Sequence, residues 1–190
     1  MVEPRQPMTV LTALRSSTLF NALSDEEIDG LAACSRLQRA QRGEALWLHG
    51  SDVDFFGLVA SGFVKMVKGS ISGHDAALEI MGPGQIFGMM GTLEGTGCPL
   101  SAIAVTDLEF LKIPKRAFAP VYEANNAFKD RLIRKASMRL HDKLHLLARL
   151  SSGRVEQRIA TLLFVLAESS GDTSPEGTRL QVHLTQKDLA

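Results

Sequence analysis

Residues Gly88 to Ala102, GMMGTLEGTGCPLSA, set four glycines and a proline in fifteen positions between stretches that read as strands. Glycine at that density lets a backbone turn several N–H groups toward one guest, and the usual guest of such a nest is a phosphate. A buried phosphate also needs a cation, and this loop supplies only Glu94 as a charged residue. Met89, Met90 and Leu100 make the loop apolar and deformable instead, which suits a flat hydrophobic cofactor or an apolar effector. His141 and His145, four apart, share one side of a helical stretch and could ligate a divalent metal. No third metal ligand stands at a convincing spacing, and a histidine pair at helical spacing is also ordinary solvated surface. His49 and His74 sit beside turn residues, and Cys98 next to Pro99 lacks the positive neighbours that make a thiol reactive. Ser101 has no His or Lys partner in local sequence, and Asp25-Glu26-Glu27 reads as a helix start. Trp47 and Phe55-Phe56 could line a ligand site, but at strand positions they read as core. With no nucleophile and base, carboxylate pair, Walker loop or metal cluster, the expectation is that the chain is not an enzyme.

The elements that must position these groups follow from composition and period. The 190 residues are 45% apolar and carry 21 Lys and Arg against 21 Asp and Glu, so the whole chain lacks the basic excess of a compact nucleic-acid binder. Two cysteines, Cys34 and Cys98, cannot build a disulfide framework. No basic-then-apolar leader opens the chain, and no apolar run reaches the roughly 18 residues that span a bilayer, so a cytoplasmic protein that meets no membrane is expected. Ser24 with Glu27 three residues on marks a capping box and a short helix to about Cys34. From Leu37 to Ile113 short apolar runs alternate with Gly, Pro, Ser and Asp turns: 45–48, 55–59, 63–67, 77–81, 102–105 and 108–113. That pattern predicts an antiparallel β-roll or barrel in an α+β chain, not a βαβ sheet.

After Pro120 the period becomes helical. Ile133, Ser137, Leu140, Leu144 and Leu147 follow the 4-3-4-3 spacing of a coiled-coil seam, flanked by Leu132, Ala136, Leu146 and Leu150. Such a helix has two faces to bury, one against the roll and one against a further element of the chain or the same helix of a second copy. The reading taken here is a homodimer. Ser151-Ser152-Gly153 breaks the helix, a second runs from Arg154 to about Glu168, residues 169–177 read as a loop, and 180–184 alternates as a strand does.

The order of parts resembles the Crp/Fnr superfamily of bacterial transcription regulators from about Leu19 to the last residue. The resemblance rests on Gly43-Glu44-Ala45-Leu46 with Gly50, on Val59-Ala60-Ser61-Gly62-Phe63-Val64-Lys65, and on Pro83-Gly84-Gln85-Ile86-Phe87-Gly88. Arg158-Ile159-Ala160 and Leu184-Thr185-Gln186-Lys187-Asp188-Leu189-Ala190 look like the family's approach to a winged helix-turn-helix. The resemblance implies a jelly-roll-like, double-stranded β-helix sensing domain over 1–119, a dimerisation helix and hinge over 120–152, and the start of a DNA-binding domain over 153–190. The second, base-reading helix of such a motif is not in the sequence, so the expectation is that the reader has been cut off. Thr185, Gln186 and Lys187 would belong to its first helix.

In family members that bind cyclic nucleotides the loop reads Gly-Glu-Leu-Gly and later Arg-Ser-Ala, the Arg forking onto the phosphate and the Glu accepting from the ribose. The matching run here is Gly88-Met89-Met90-Gly91 and then Leu100-Ser101-Ala102, one residue further along, with Met89 for the Glu and Leu100 for the Arg. Lys143 and Leu144 stand where the family's adenine-facing hydroxyl pair falls. The resemblance therefore implies an effector pocket that has lost cyclic-nucleotide binding, with an apolar effector or haem as candidates for what replaced it. By family likeness DNA and RNA polymerase are the expected partners. The alternatives are a stand-alone ligand- or protein-binding module and a cyclic-nucleotide regulator with a divergent pocket.

Overall fold

The computed structural model describes residues 8–69, 76–89, 91, 97–152, 155–175 and 177–180. Local side-chain chemistry sets the first elements. Thr9 accepts from the N–H of Thr12 and opens helix α1 (Val10–Ser16), a 3-10 turn follows over Thr18–Ala22, and Ser24 caps helix α2 (Asp25–Cys34). The predicted capping box is complete: Ser24 Oγ accepts from the Glu27 N–H at 3.2 Å, and a Glu27 carboxylate oxygen accepts from the Ser24 N–H at 2.8 Å.

Eight strands then form the roll: β1 (Arg36–Ala40), β2 (Ala45–Trp47), β3 (Phe55–Ser61), β4 (Val64–Lys68), β5 (Ala76–Met81), β6 (Ile86–Phe87), β7 (Ser101–Ala104) and β8 (Leu108–Pro114). One sheet runs β1-β8-β3-β6 and the other β2-β7-β4-β5, every pairing antiparallel. Each of the six runs read from the sequence is a strand. The two unpredicted strands are β1, whose Arg36, Gln38 and Arg39 interrupt any apolar run, and the two-residue β6.

The sheets enclose one apolar cluster that includes Trp47, Val59, Val64, Met66, Met81, Phe87, Ala102 and Phe110. A second cluster lies on the other face of β3 and β8, where Phe56, Leu58, Leu111 and Ile113 pack against Leu14, Phe20, Leu31, Phe118 and Phe128 of the helices. A strand buried on both faces reads as an unbroken apolar run, which is why β3 carries so little alternation, whereas β8 keeps Glu109 and Lys112 at half-buried positions. Gly57 is the point of closest approach, because the Phe87 ring occupies the space a Cβ there would need.

Helix α3 (Lys115–Ala124) starts directly after β8 and continues through Pro120, so helix begins before the 119/120 boundary expected from sequence. Pro120 is exposed, and water can take the carbonyl its missing N–H leaves free. The true break is Asn125, whose Oδ1 accepts from the Phe128 N–H at 2.9 Å and whose amide donates to both oxygens of Glu27 at 3.0 and 3.1 Å. Asn125 thereby opens the long helix α4 (Asn126–Ser152) and ties it to the first turn of α2. Phe128 is fully buried, stacked on Phe20 and edge-on to Phe118. Helix α5 (Val155–Ser170) and a hairpin of β9 (Gly171–Ser174) and β10 (Gly177–Leu180) follow. The stretch expected as a loop over 169–177 is thus the last turn of α5 and a β-strand, its Ser, Gly and Thr residues taken into a tight two-stranded pairing. Among the described residues no helix is long and apolar enough to cross a membrane.

Candidate functional site

The glycine-rich segment borders the roll interior, and its described parts hold protein rather than open space. Gly88 has φ 80°, and a Cβ there would come within 2.6 Å of the Trp47 ring. That ring stacks on Phe87 with centroids 5.5 Å apart, meets Phe55 edge-on, and donates its indole N–H to the Leu100 carbonyl at 3.0 Å. The Leu100 side chain packs on the interior cluster, and Ala102 is fully buried beside it. Ser101 Oγ accepts from the backbone N–H of His49 at 2.9 Å. The Cys98 N–H donates to the Ser51 carbonyl and the Cys98 carbonyl accepts from Gly50, so this end of the loop spends its backbone on the β2–β3 turn. Gly91 packs so closely that a Cβ would lie 3.2 Å from the Cys98 sulfur.

Burial, assisted by the Asp52 charge, pushes the Cys98 thiol up, which keeps it neutral as the sequence reading expected. Met89 packs with Ile86 against the helix-facing cluster, on the opposite side of the sheet from the interior, so it does not stand beside Leu100. Met90 and Glu94 lie outside the described residues. Lys68 is the cation that local reading passed over: Nζ lies 3.3 Å from the Pro99 carbonyl oxygen and 3.1 Å from Nε2 of His49. No spacing rule connects Lys68 to Pro99, since only the pairing of β4 with β7 brings them to one edge.

The roll meets α4 through a clasp that sequence reasoning missed. Glu79 of β5 takes a two-pronged contact from Arg139, Nε to Oε1 at 2.9 Å and Nη2 to Oε2 at 2.6 Å. Lys143 adds Nζ to Oε1 at 3.3 Å and reaches the Leu78 carbonyl at 3.4 Å. Arg139 Nη2 also approaches the Met81 sulfur at 3.8 Å. A glutamate in an apolar strand was the visible signal, but its partner stands 60 residues downstream. Lys143 therefore faces the roll as expected, whereas Leu144 does not. Adjacent helical residues diverge by about 100°, and Leu144 is 56% exposed on the seam side. Of the two expected uses of Leu144, its exposure away from the roll fits the seam and not the pocket.

On that seam side Ile133, Leu140, Leu144 and Leu147 are each more than half exposed, and Ser137 is exposed with them. An apolar cleft of about 430 Å³ lies between α5 and β10, lined by Ala160, Leu163, Phe164, Ala167 and Thr178. His141 and His145 do converge, but on exposed surface of α4 and not toward the roll. Among the described residues the histidine candidates for haem do not enter the roll: that pair is exposed and His49 contacts Lys68 at the sheet edge, while Cys98 is buried with its thiol pushed up. His74 lies outside the described residues, as do Thr185, Gln186 and Lys187.

Residues 37–125 match the model of the family described as the cyclic nucleotide-binding domain. The cyclic AMP receptor protein of Thermus thermophilus is 33% identical over 138 residues, 72% of this chain and 58% of that protein. The CRP-like cAMP-activated global transcriptional regulator of Mycobacterium tuberculosis is 26% identical over 149 residues, 78% of this chain and 66% of its own length. The chain thus spans somewhat under two thirds of each of these curated relatives. Among solved structures, the sensor domain of the transcriptional regulator DNR from Pseudomonas aeruginosa superimposes with a TM-score of 0.62 at 25% identity, covering 70% of this chain and 89% of that one. Two antiparallel four-stranded sheets agree with these matches, and the chain is similar to cyclic nucleotide-binding domains and to CRP-type regulators.

Proposed function

We propose that this chain is the sensing and pairing portion of a cytoplasmic Crp/Fnr-type transcription regulator without enzymatic activity, and that its roll does not answer to cyclic AMP. The observation that carries this reading is Leu100, at the position matched to the family's phosphate-holding Arg: its side chain is half-buried against the roll's interior cluster, and its carbonyl accepts from the Trp47 indole. A phosphate brought there would lose its water without gaining a cation from that position, a cost of several kcal/mol. An apolar effector has no such penalty. The link from roll to helix is instead supplied by Glu79 with Arg139 and Lys143. An effector lodged between β5 and α4 would compete with that clasp, and a change in the tilt of α4 would carry α5 with it. The exposed seam of Ile133, Ser137, Leu140, Leu144 and Leu147 suits a second copy of the chain, and DNA and RNA polymerase are the partners that the relatives' role as transcription regulators suggests.

The test is calorimetric titration of cyclic AMP and cyclic GMP into the full gene product, paired with gel retardation of DNA from upstream of its own operon. The expected result is no saturable nucleotide binding, with retardation that nucleotide does not alter. Saturable uptake would overturn the pocket assignment, and failure to retard any such fragment under every effector tried would overturn the regulator assignment.

One observation favours a second reading, a cyclic-nucleotide regulator with a divergent pocket. Lys68 reaches the Pro99 carbonyl, one residue from Leu100, and relatives named for cyclic AMP share the fold. Under that reading Lys68→Met abolishes nucleotide uptake.

A further inference from the structure

From the outward surface of α4 we infer a site for a late divalent transition metal, chelated by His141 and His145. The two Nε2 atoms approach to 2.9 Å, with ring centroids 4.4 Å apart and the rings nearly perpendicular. Both side chains are exposed, so an ion reaches them directly from solvent. The spacing is the i, i+4 arrangement by which a helix offers two imidazoles on one face to a metal.

Small rotations of two exposed rings already 2.9 Å apart can bring both Nε2 atoms to the roughly 2.0–2.1 Å of a metal–imidazole bond, with water at the remaining positions. Imidazole suits Ni, Cu and Zn alike, and the general affinity order of divalent ions places Cu²⁺ highest. A bound ion takes the Nε2 lone pairs that a proton would otherwise hold, so metal and protons compete and acid weakens the site. Of the charged residues around the pair, Arg139 and Lys143 turn onto Glu79 across the helix, while Asp142 adjoins His141 in sequence and Arg149 follows His145 by four residues. Chelation across one turn would brace α4 immediately beyond its clasp to the roll.

The experiment is titration of untagged protein with NiCl2 by calorimetry and with CuCl2 by electron paramagnetic resonance, at neutral pH and again in mild acid. One ion per chain is expected, with nitrogen superhyperfine structure from two imidazoles and weaker binding in acid. His141→Gln and His145→Gln should each lower affinity by roughly tenfold or more, since even the loss of a group that only orients a ligand costs that much. Both positions are exposed, so the variants should keep the parent circular dichroism. A double variant that titrates like the parent, or a copper spectrum without two-nitrogen coupling, would overturn the inference.

Discussion

The interior of the roll and the outer surface of α4 are both rich in large apolar side chains, and they end in opposite states. Inside the roll Phe87, Val59 and Ala102 are fully buried and Trp47 is nearly so, each satisfied by strands of the same chain. Along α4, Phe128 is fully buried, but Ile133, Leu140, Leu144 and Leu147 lie more than half in water. The same residue types therefore carry two messages: a finished core in one region, and in the other a surface whose apolar face nothing within the described chain covers. The boundary falls within two turns of Asn125, where α4 leaves the helix cluster.

Four substitutions would break or sharpen this contrast. The largest effect is expected for Trp47→Ala, which removes two ring contacts and the hydrogen bond to Leu100 from a closed core; it should cost about 3–5 kcal/mol in urea denaturation. Leu144→Lys should leave the stability of an isolated chain within about 0.5 kcal/mol of the parent. If the seam pairs two copies, the same change should weaken association roughly a hundredfold, about 2.7 kcal/mol, in sedimentation equilibrium. An unchanged association constant would remove the seam from the pairing surface.

Glu79→Gln tests the junction between the regions. Because Arg139 and Lys143 are partly solvated, the expected loss is only about 0.5–1 kcal/mol, and it should shrink as salt is added. The smallest effect concerns pH. The Ser24 N–H, then the Asn125 amide, hold the Glu27 carboxyl below its ordinary value. A lowered carboxyl gives stability that is present above the unfolded value and is lost as pH falls through the folded one. Acid should therefore narrow the stability gap between the parent and Glu27→Gln, a comparison thermal melts at pH 7 and pH 3 can make.

Much of the roll was legible because its strands are short, apolar and separated by Gly and Pro turns, so period and punctuation agree. The capping box at Ser24 and the seam on α4 were legible for the same local reason. β1 was not, since its partner β8 lies some 70 residues away and its own side chains are mostly polar and exposed. The loss of a polar group at Leu100 could be read from residue type, but its consequence, a half-buried leucine whose carbonyl is held by the Trp47 indole, needed the pairing of β2 with β7. The Glu79 clasp was invisible for a like reason. Charge complementarity across such a separation has no signature in one sequence, whereas a cap written in four consecutive residues does.

Asn125 serves three neighbours with one amide: the first turn of α4, the carboxylate of Glu27 and the Ala22 carbonyl at 3.4 Å. A lever needs a fulcrum that resists sliding while permitting rotation, and short polar contacts gathered on a single side chain provide that more readily than a broad greasy interface. Any swing of the far end of α4 should then pivot here and tug on the amino-terminal helices, in addition to straining the Glu79 clasp to β5.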